Sequence, residues 1–278
     1  MSRRQRCWWK RRRGDTYTED ETGISKSNLS AVVSNVKGPV CLLGGWAVYA
    51  TVNQNFSTAQ GRNYVGSRDI DLGFHVDETW PDGQLRVSAF AESIGILRGM
   101  GYYGVGSRFV QHRDIGTGGP LTEDESRTRP KYEMFDLFVD LIVDKIHPGT
   151  KALFGLDPID EPLLAHVFSD NRFTMSGYFG PETMMPDPDV LASMKINSVL
   201  GRSKEDKRIK DIADIYSLVW YSDTEFSDMK QSVHAMVGSA KIFSTVSRFT
   251  ISDYGLASQV LGIDRDEISR VIAEMTRV

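Results

Sequence analysis

Two cysteines in 278 residues, Cys7 and Cys41, are too few for a disulfide framework, and neither has the spacing of a metal knuckle. The five histidines (His75, His112, His147, His166 and His234) are scattered without ligand spacing, so no zinc site is expected. Long apolar runs are missing too. The longest, Cys41 to Ala50, contains two glycines and is about half of the ~20 residues a membrane span needs. Behind a positive N-terminus, Thr16 to Asn28 is polar where a secretory signal would be apolar. The chain is therefore expected in a reducing cytoplasm, with no membrane partner.

What is present is ordinary in bulk: 40% hydrophobic and 25% charged residues, enough for one large domain or two small ones. The net charge of −4 hides an asymmetry. Residues 1–13 hold Arg3, Arg4, Arg6, Lys10, Arg11, Arg12 and Arg13 and no acid, so the rest of the chain is more acidic than the total suggests. With Trp8 and Trp9 inside it, this segment is either a grip for nucleic-acid phosphates and bases or a solvated extension.

Residues 14–23 read as a polar linker, and an amphipathic helix is expected from Ser27, with Leu29, Val32, Val33 and Val36 on one face. Val40–Leu43 reads as a buried strand that Gly44-Gly45 turns into a helix running from Trp46 to about Asn55. A strand over Arg68–His75, a helix over Leu85–Met100 and a strand near Tyr102–Gln111 are expected next. Asp114–Pro130 has the composition of a surface loop, and Lys131–Val143 is the longest strand candidate. Residues 151–185 look irregular, with a hairpin around Ser169-Asp170-Asn171. From Asp189 the pattern is helical: Val190–Leu200, Lys204–Tyr221, Thr224–Met236, Asp253–Leu261 and Arg265–Thr276, the last capped by Asp264. The fold class is α/β (α+β): a basic, polar tail over 1–22, a small mixed-sheet core over 23–150, and a mostly helical C-terminal domain over 151–278.

Three features carry chemistry. Leu43-Gly44-Gly45-Trp46 lies between a strand and a helix, where glycines admit a ligand to the backbone and the helix N-terminus offers unpaired N–H groups to phosphate. Taken alone it is also what a plain tight turn looks like. In Ser67-Arg68-Asp69-Ile70-Asp71-Leu72, Asp69 and Asp71 share one face of a strand while Ile70 and Leu72 take the other. Paired carboxylates repel unless a cation lies between them, and hard oxygens suit Mg²⁺; an exposed edge strand would have the same pattern. The third is Asp136, Asp140 and Asp144 on one face of an apolar strand. Asp140 is the most central, where an unpaired acid is costly, whereas Asp136 and Asp144 are expected to be solvated.

Together these features resemble the nucleotidyltransferase superfamily of the DNA-polymerase-β type. The resemblance implies that Gly44, Gly45 and Ser67 contact phosphates, and that Asp69, Asp71 and Asp140 hold Mg²⁺ or Mn²⁺, with Asp140 also the candidate base. Further on, Met194-Lys195-Ile196-Asn197-Ser198-Val199-Leu200-Gly201-Arg202 leads into Lys207-Arg208-Ile209-Lys210-Asp211-Ile212-Ala213-Asp214, similar to the signature of the AbiEii abortive-infection toxins and their MenT-like relatives. That likeness implies that Lys195, Lys210 and Asp211 face the nucleotide and that Asp214 braces the helices. As an ordinary surface helix, the segment would instead pair Lys207 with Asp211 and Lys210 with Asp214. The resemblance spans roughly residues 38–220 and departs from the family in two places. The Gly45–Asp69 stretch is long, and Val65 stands where relatives carry an arginine, leaving Arg62 or Arg68 as substitutes.

The resemblance implies an enzyme that moves a nucleotide from an NTP to RNA or a tRNA end, as the toxin of a pair with a cognate antitoxin. A small hydroxylated molecule, as for aminoglycoside nucleotidyltransferases, or a protein side chain are the alternative acceptors. A nucleotide-binding regulatory module without catalysis is a third reading, which the retention of all three carboxylates and Lys195 disfavours.

Overall fold

Residues 41–43, 69–74 and 134–143 form the centre of a mixed sheet in a computed structural model that describes residues 19–277. The basic segment 1–13, with Cys7, Trp8 and Trp9, and the first part of the expected linker lie outside the described residues. The eight strands are β1 (Cys41–Leu43), β2 (Asp69–Phe74), β3 (Tyr103–Val105), β4 (Arg108–Asp114), β5 (Met134–Val143), β6 (Ile159–Asp160), β7 (Phe173–Ser176) and β8 (Thr183–Pro186). Their order is β3-β4-β5-β2-β1-β8-β7, with β6 also pairing β5. The β2/β5, β1/β8 and β5/β6 pairs are parallel and the others antiparallel. The expected break near residue 150 does not divide this sheet, because three of its strands follow it.

The helices before the break are α1 (Glu19–Asn35), α2 (Gly44–Gln60), α3 (Asp82–Arg86), α4 (Ala89–Gly99) and α5 (Glu123–Thr128). After it come α6 (Thr150–Phe154), α7 (Leu164–Phe168), α8 (Pro188–Ser198), α9 (Glu205–Tyr221), α10 (Phe226–Val237), α11 (Ser239–Val246), α12 (Ile251–Leu261) and α13 (Arg265–Glu274). No helix among the described residues is long and apolar enough to cross a membrane. The architecture is thus mixed α/β with a helical C-terminal region.

Burial explains most of these elements. Leu29, Val32, Val33 and Val36 enter the core from α1, as their spacing requires. α1 starts earlier than Ser27, whose hydroxyl donates to the Ile24 carbonyl instead of capping a helix. The earlier turn is held from outside: Trp46 Nε1 donates to Ser25 Oγ, which donates to the Arg68 carbonyl. The helix expected over 85–100 is broken, since Val87 is exposed and Ser88 caps α4 by accepting from the Ala91 N–H. The strand near 102–111 is a β3–β4 hairpin, and the expected loop 114–130 holds α5 behind a Thr122/Glu125 capping box. The second hairpin turns at residues 177–182, not at Ser169–Asn171, where a left-handed Asn171 links α7 to β7. Helix α11 has no counterpart in the sequence reading, whereas Asp264 caps α13 as expected, accepting from the Asp266 and Glu267 N–H groups.

Candidate active site

The parallel β2/β5 ladder sets Asp71 directly beside Asp140, with Asp69 opposite Phe138. Along β2 the alternation holds: Ile70 and Leu72 are fully buried while Asp69 and Asp71 reach the other face. Leu43, the last residue of β1, pairs with Asp71, so the chain enters α2 right over that carboxylate. Gly44 takes φ +62°, and a Cβ there would lie 1.8 Å from Asp71 Oδ2; one on Gly45 would lie 2.9 Å from Ser67 Oγ. The N-cap Leu43 makes no side-chain cap and no acid lies in the first turn of α2, so nothing of that kind offsets the positive end of the helix. Ser67 Oγ donates to the Asp69 carbonyl, which fixes the approach to β2.

The three carboxylates are poorly satisfied. Asp69 Oδ2 lies 2.7 Å from Lys207 Nζ, and Asp140 Oδ2 lies 2.7 Å from Arg108 Nη2. Asp140 Oδ1 is buried with no hydrogen-bond partner. Burial, then the Asp71 charge, pushes the Asp140 carboxyl up to about 7 against the pull of Arg108. Burial and Asp69 likewise push Asp71 up, against Lys195, Lys207 and Arg202.

The opposite wall is an ion lattice between α8 and α9. Lys195 Nζ donates to Asp211 Oδ1 at 2.6 Å and lies 2.8 Å from Asp214 Oδ2. Arg202 Nε donates to Asp211 Oδ2 at 2.6 Å, Lys210 pairs with Asp214, and Tyr64 Oη donates to Asp214 Oδ1 at 2.7 Å. Burial alone would lower the Lys195 ammonium, but Asp211 and Asp214 hold it above its ordinary value. For Lys210, burial wins and its pKa falls. Burial would raise Asp214, yet Lys195 and Lys210 hold it below its ordinary value.

A cavity of about 280 Å³ lies between the two walls, and Gly44, Gly45, Ser67, Asp69, Asp71, Asp140, Lys195, Lys210 and Asp211 all line it. Sequence reasoning missed Arg108, Arg202 and Lys207, which line it as well. The Lys207–Asp211 pair of the ordinary-surface-helix reading does not form, and Lys207 reaches Asp69 instead. The proposed stand-ins for the missing arginine go elsewhere: Arg62 donates to the Val260 carbonyl and Arg68 to the Asp136 carbonyl. Asp136 Oδ1 accepts from His112 Nδ1 at 2.6 Å, four residues from Asp140 along β5. Asp144 corrects the expectation of solvation: it is buried, bonded to His75 Nδ1 and to the Val76 N–H. Lys195 has two acidic partners, Asp211 and Asp214, both supplied by α9. A larger groove of about 760 Å³ beside Arg172 is acidic, with Asp187, Asp189, Asp223 and Asp228 and no other cation, so it does not suit a triphosphate.

The donors facing the cavity are hard oxygens, and Asp140 Oδ1 has a free lone pair, so the residue types fit Mg²⁺ or Mn²⁺. They do not form a preformed cage: among the described residues no three His, Cys, Asp or Glu side chains are grouped closely enough to hold an ion. Lys207 and Arg108 hold two of the carboxylates by one oxygen each.

No known family and no curated protein matches this chain by sequence. Among solved structures it is similar to an antigenic nucleotidyltransferase-like protein from Paracoccidioides brasiliensis, with 14% identity and a TM-score of 0.40 over 82% of this chain and 92% of that one. A likeness that distant carries no information about chemistry, which has to come from the cavity itself.

Proposed function

We propose that the protein is a divalent-metal-dependent nucleotidyltransferase that moves a nucleotide from an NTP to a hydroxyl of RNA, such as a tRNA end, as the toxin of an AbiEii-type pair with a cognate antitoxin. The observation that carries the chemistry is the Asp71–Asp140 register beneath Gly44-Gly45, with a buried, unpartnered Asp140 oxygen in a cavity that five cations line, Arg108 beside Asp140 on the sheet and Lys195, Arg202, Lys207 and Lys210 from the helical wall. Mg²⁺ or Mn²⁺, held by Asp69, Asp71 and Asp140, would supply charge neutralisation for the phosphates. The α2 N-terminus and Ser67 bind the phosphate chain from one side, and Lys195, Lys210 and Arg202 present positive charge from the other. The acceptor oxygen attacks the α-phosphorus, the bond to the bridging oxygen of the leaving pyrophosphate breaks, and Asp140 takes the acceptor proton.

Support for an RNA acceptor comes from the open sheet face beside Asp140. The guanidinium groups of Arg108 and Arg68 lie 4.7 and 5.6 Å from the centroid of the Phe138 ring, an aromatic flanked by cations of the kind that stacks bases and holds backbone. The toxin assignment rests on the order of motifs from Gly44 to Asp214. The test is to incubate the full chain with each labelled NTP, Mg²⁺ and total RNA, with Asp71→Asn as the control. Label in RNA that depends on Asp71 is the expected result. Label confined to small molecules or protein would overturn the acceptor, and no transfer to anything would overturn the enzyme.

A further inference from the structure

The five cations lining the cavity are held in different ways. Lys195, Lys210 and Arg202 are fixed by Asp211 and Asp214, acids of the helical wall. Arg108 is held twice, by Asp140 and by the face of Phe138. Lys207 differs. It stands in the first turn of α9, and its ammonium has a single ion-pair partner among the described residues, Asp69. Its side chain is 30% exposed, against 10% for Lys195 and 7% for Lys210, so it is the freest of the three lysines to move. The acid it occupies belongs to the carboxylate row.

An ammonium and a divalent ion compete for the same carboxylate oxygen, and the ion carries twice the charge. The ammonium that leaves Asp69 remains tethered at the mouth of a cavity whose other occupant would be a triphosphate. Resting on the nucleotidyltransferase reading, we infer that Lys207 is a stored phosphate ligand. It neutralises Asp69 in the free protein and passes to the phosphate chain of the NTP when a divalent ion takes that carboxylate. Lys207 thereby couples the two ligands: each makes room, or a partner, for the other.

The two effects have opposite signs, which a bracing role cannot produce. In the full chain, Lys207→Met is expected to bind Mn²⁺ alone about tenfold more tightly, because its competitor is gone. The same variant is expected to bind the α,β-imido analogues of ATP, GTP, CTP and UTP, at saturating Mg²⁺, about tenfold more weakly. Lys207→Arg should restore both toward wild type. Lys204→Met, which removes an exposed charge from the residue preceding α9, should change neither. Mn²⁺ binding read by electron paramagnetic resonance and analogue binding by calorimetry give both numbers without turnover. Unchanged or weaker Mn²⁺ binding in Lys207→Met, while wild type binds both ligands, overturns the storage role and leaves the enzyme reading standing. A wild-type chain that binds neither ligand overturns both.

Discussion

Asp71 and Asp214 face the same cavity and are treated oppositely by the fold. Asp214 is fully enclosed, yet Tyr64, Lys210 and Lys195 surround it and keep its carboxyl below the ordinary value. Asp71 has Asp69 and Asp140 for neighbours, and its carboxyl is pushed up. A buried acid whose partners come from three chain segments joins α2's following loop, α8 and α9, so its chemistry is spent on holding the walls together. A carboxylate row that repels itself is held in place by the sheet, against its own electrostatics, which is the arrangement the proposed metal site requires.

That contrast is broken most sharply by exchanging the two losses. Asp71→Asn is expected to lower transfer by about a thousandfold while leaving the urea midpoint unchanged or higher, since one of several repelling charges is removed. Asp214→Ala should cost about 3–5 kcal/mol of stability, because Lys195 and Lys210 are left buried with less counter-charge. The pH dependence follows in sign. Asp214's depressed carboxyl stabilises the fold above its ordinary value of 3.8, and that contribution is lost as the pH falls through the lower folded value. Urea midpoints measured from neutral to acid pH should therefore converge between wild type and Asp214→Asn. A destabilised Asp71→Asn beside a wild-type-like Asp214→Ala would reverse the assignment of the two walls.

The three acids of the β5 face sharpen the same comparison at smaller scale. Asp140→Asn is expected to match Asp71→Asn in activity, as its buried Oδ1 has no other partner. Asp144→Asn should cost about 1–2 kcal/mol through its bonds to the Val76 N–H and His75, with transfer retained. Asp136→Asn, more exposed and outside the cavity, should be mild in both. Activity assays and urea titrations on the same preparations separate these outcomes. A dead Asp136→Asn would move the third ligand along the strand.

Period-2 alternation was enough to read Asp69, Asp71 and Asp140 onto one face, because strand geometry is local and the apolar partners Ile70, Leu72, Val139 and Leu141 mark the other face. The Gly44 turn was legible from the Gly-Gly pair between an apolar strand and a helix, whereas its close fit to Asp71 is visible only in the fold. What was not legible came from pairings across distance. Arg108 meets Asp140 only because β4 begins in that register, and Lys207 meets Asp69 across 138 positions. Asp144 looked like a strand end until the chain folded it back onto the Val76 N–H. The short strands β6 to β8 lack periodicity long enough to detect, which is why the sheet was expected to stop near residue 150.

The smallest effect expected concerns residues 1–13 and asks whether a third region joins the comparison. The site residues lie between Gly44 and Asp214, so deleting 1–13 should leave binding of Mn²⁺ and NTP analogues unchanged. The seven cations of that segment precede an acidic body and are the densest positive charge in the sequence. Each phosphate they neutralise adds about −0.7 to −0.9 to the slope of log affinity against log salt. Full-length and shortened chains, both carrying Asp71→Asn to prevent turnover, can be titrated with RNA at several salt concentrations. If the segment grips the acceptor, the shortened chain binds more weakly at low salt, has a shallower slope, and meets the full-length curve as salt rises. Equal slopes would assign acceptor binding to the folded body alone, leaving the Arg68–Phe138–Arg108 face as the surface to mutate next.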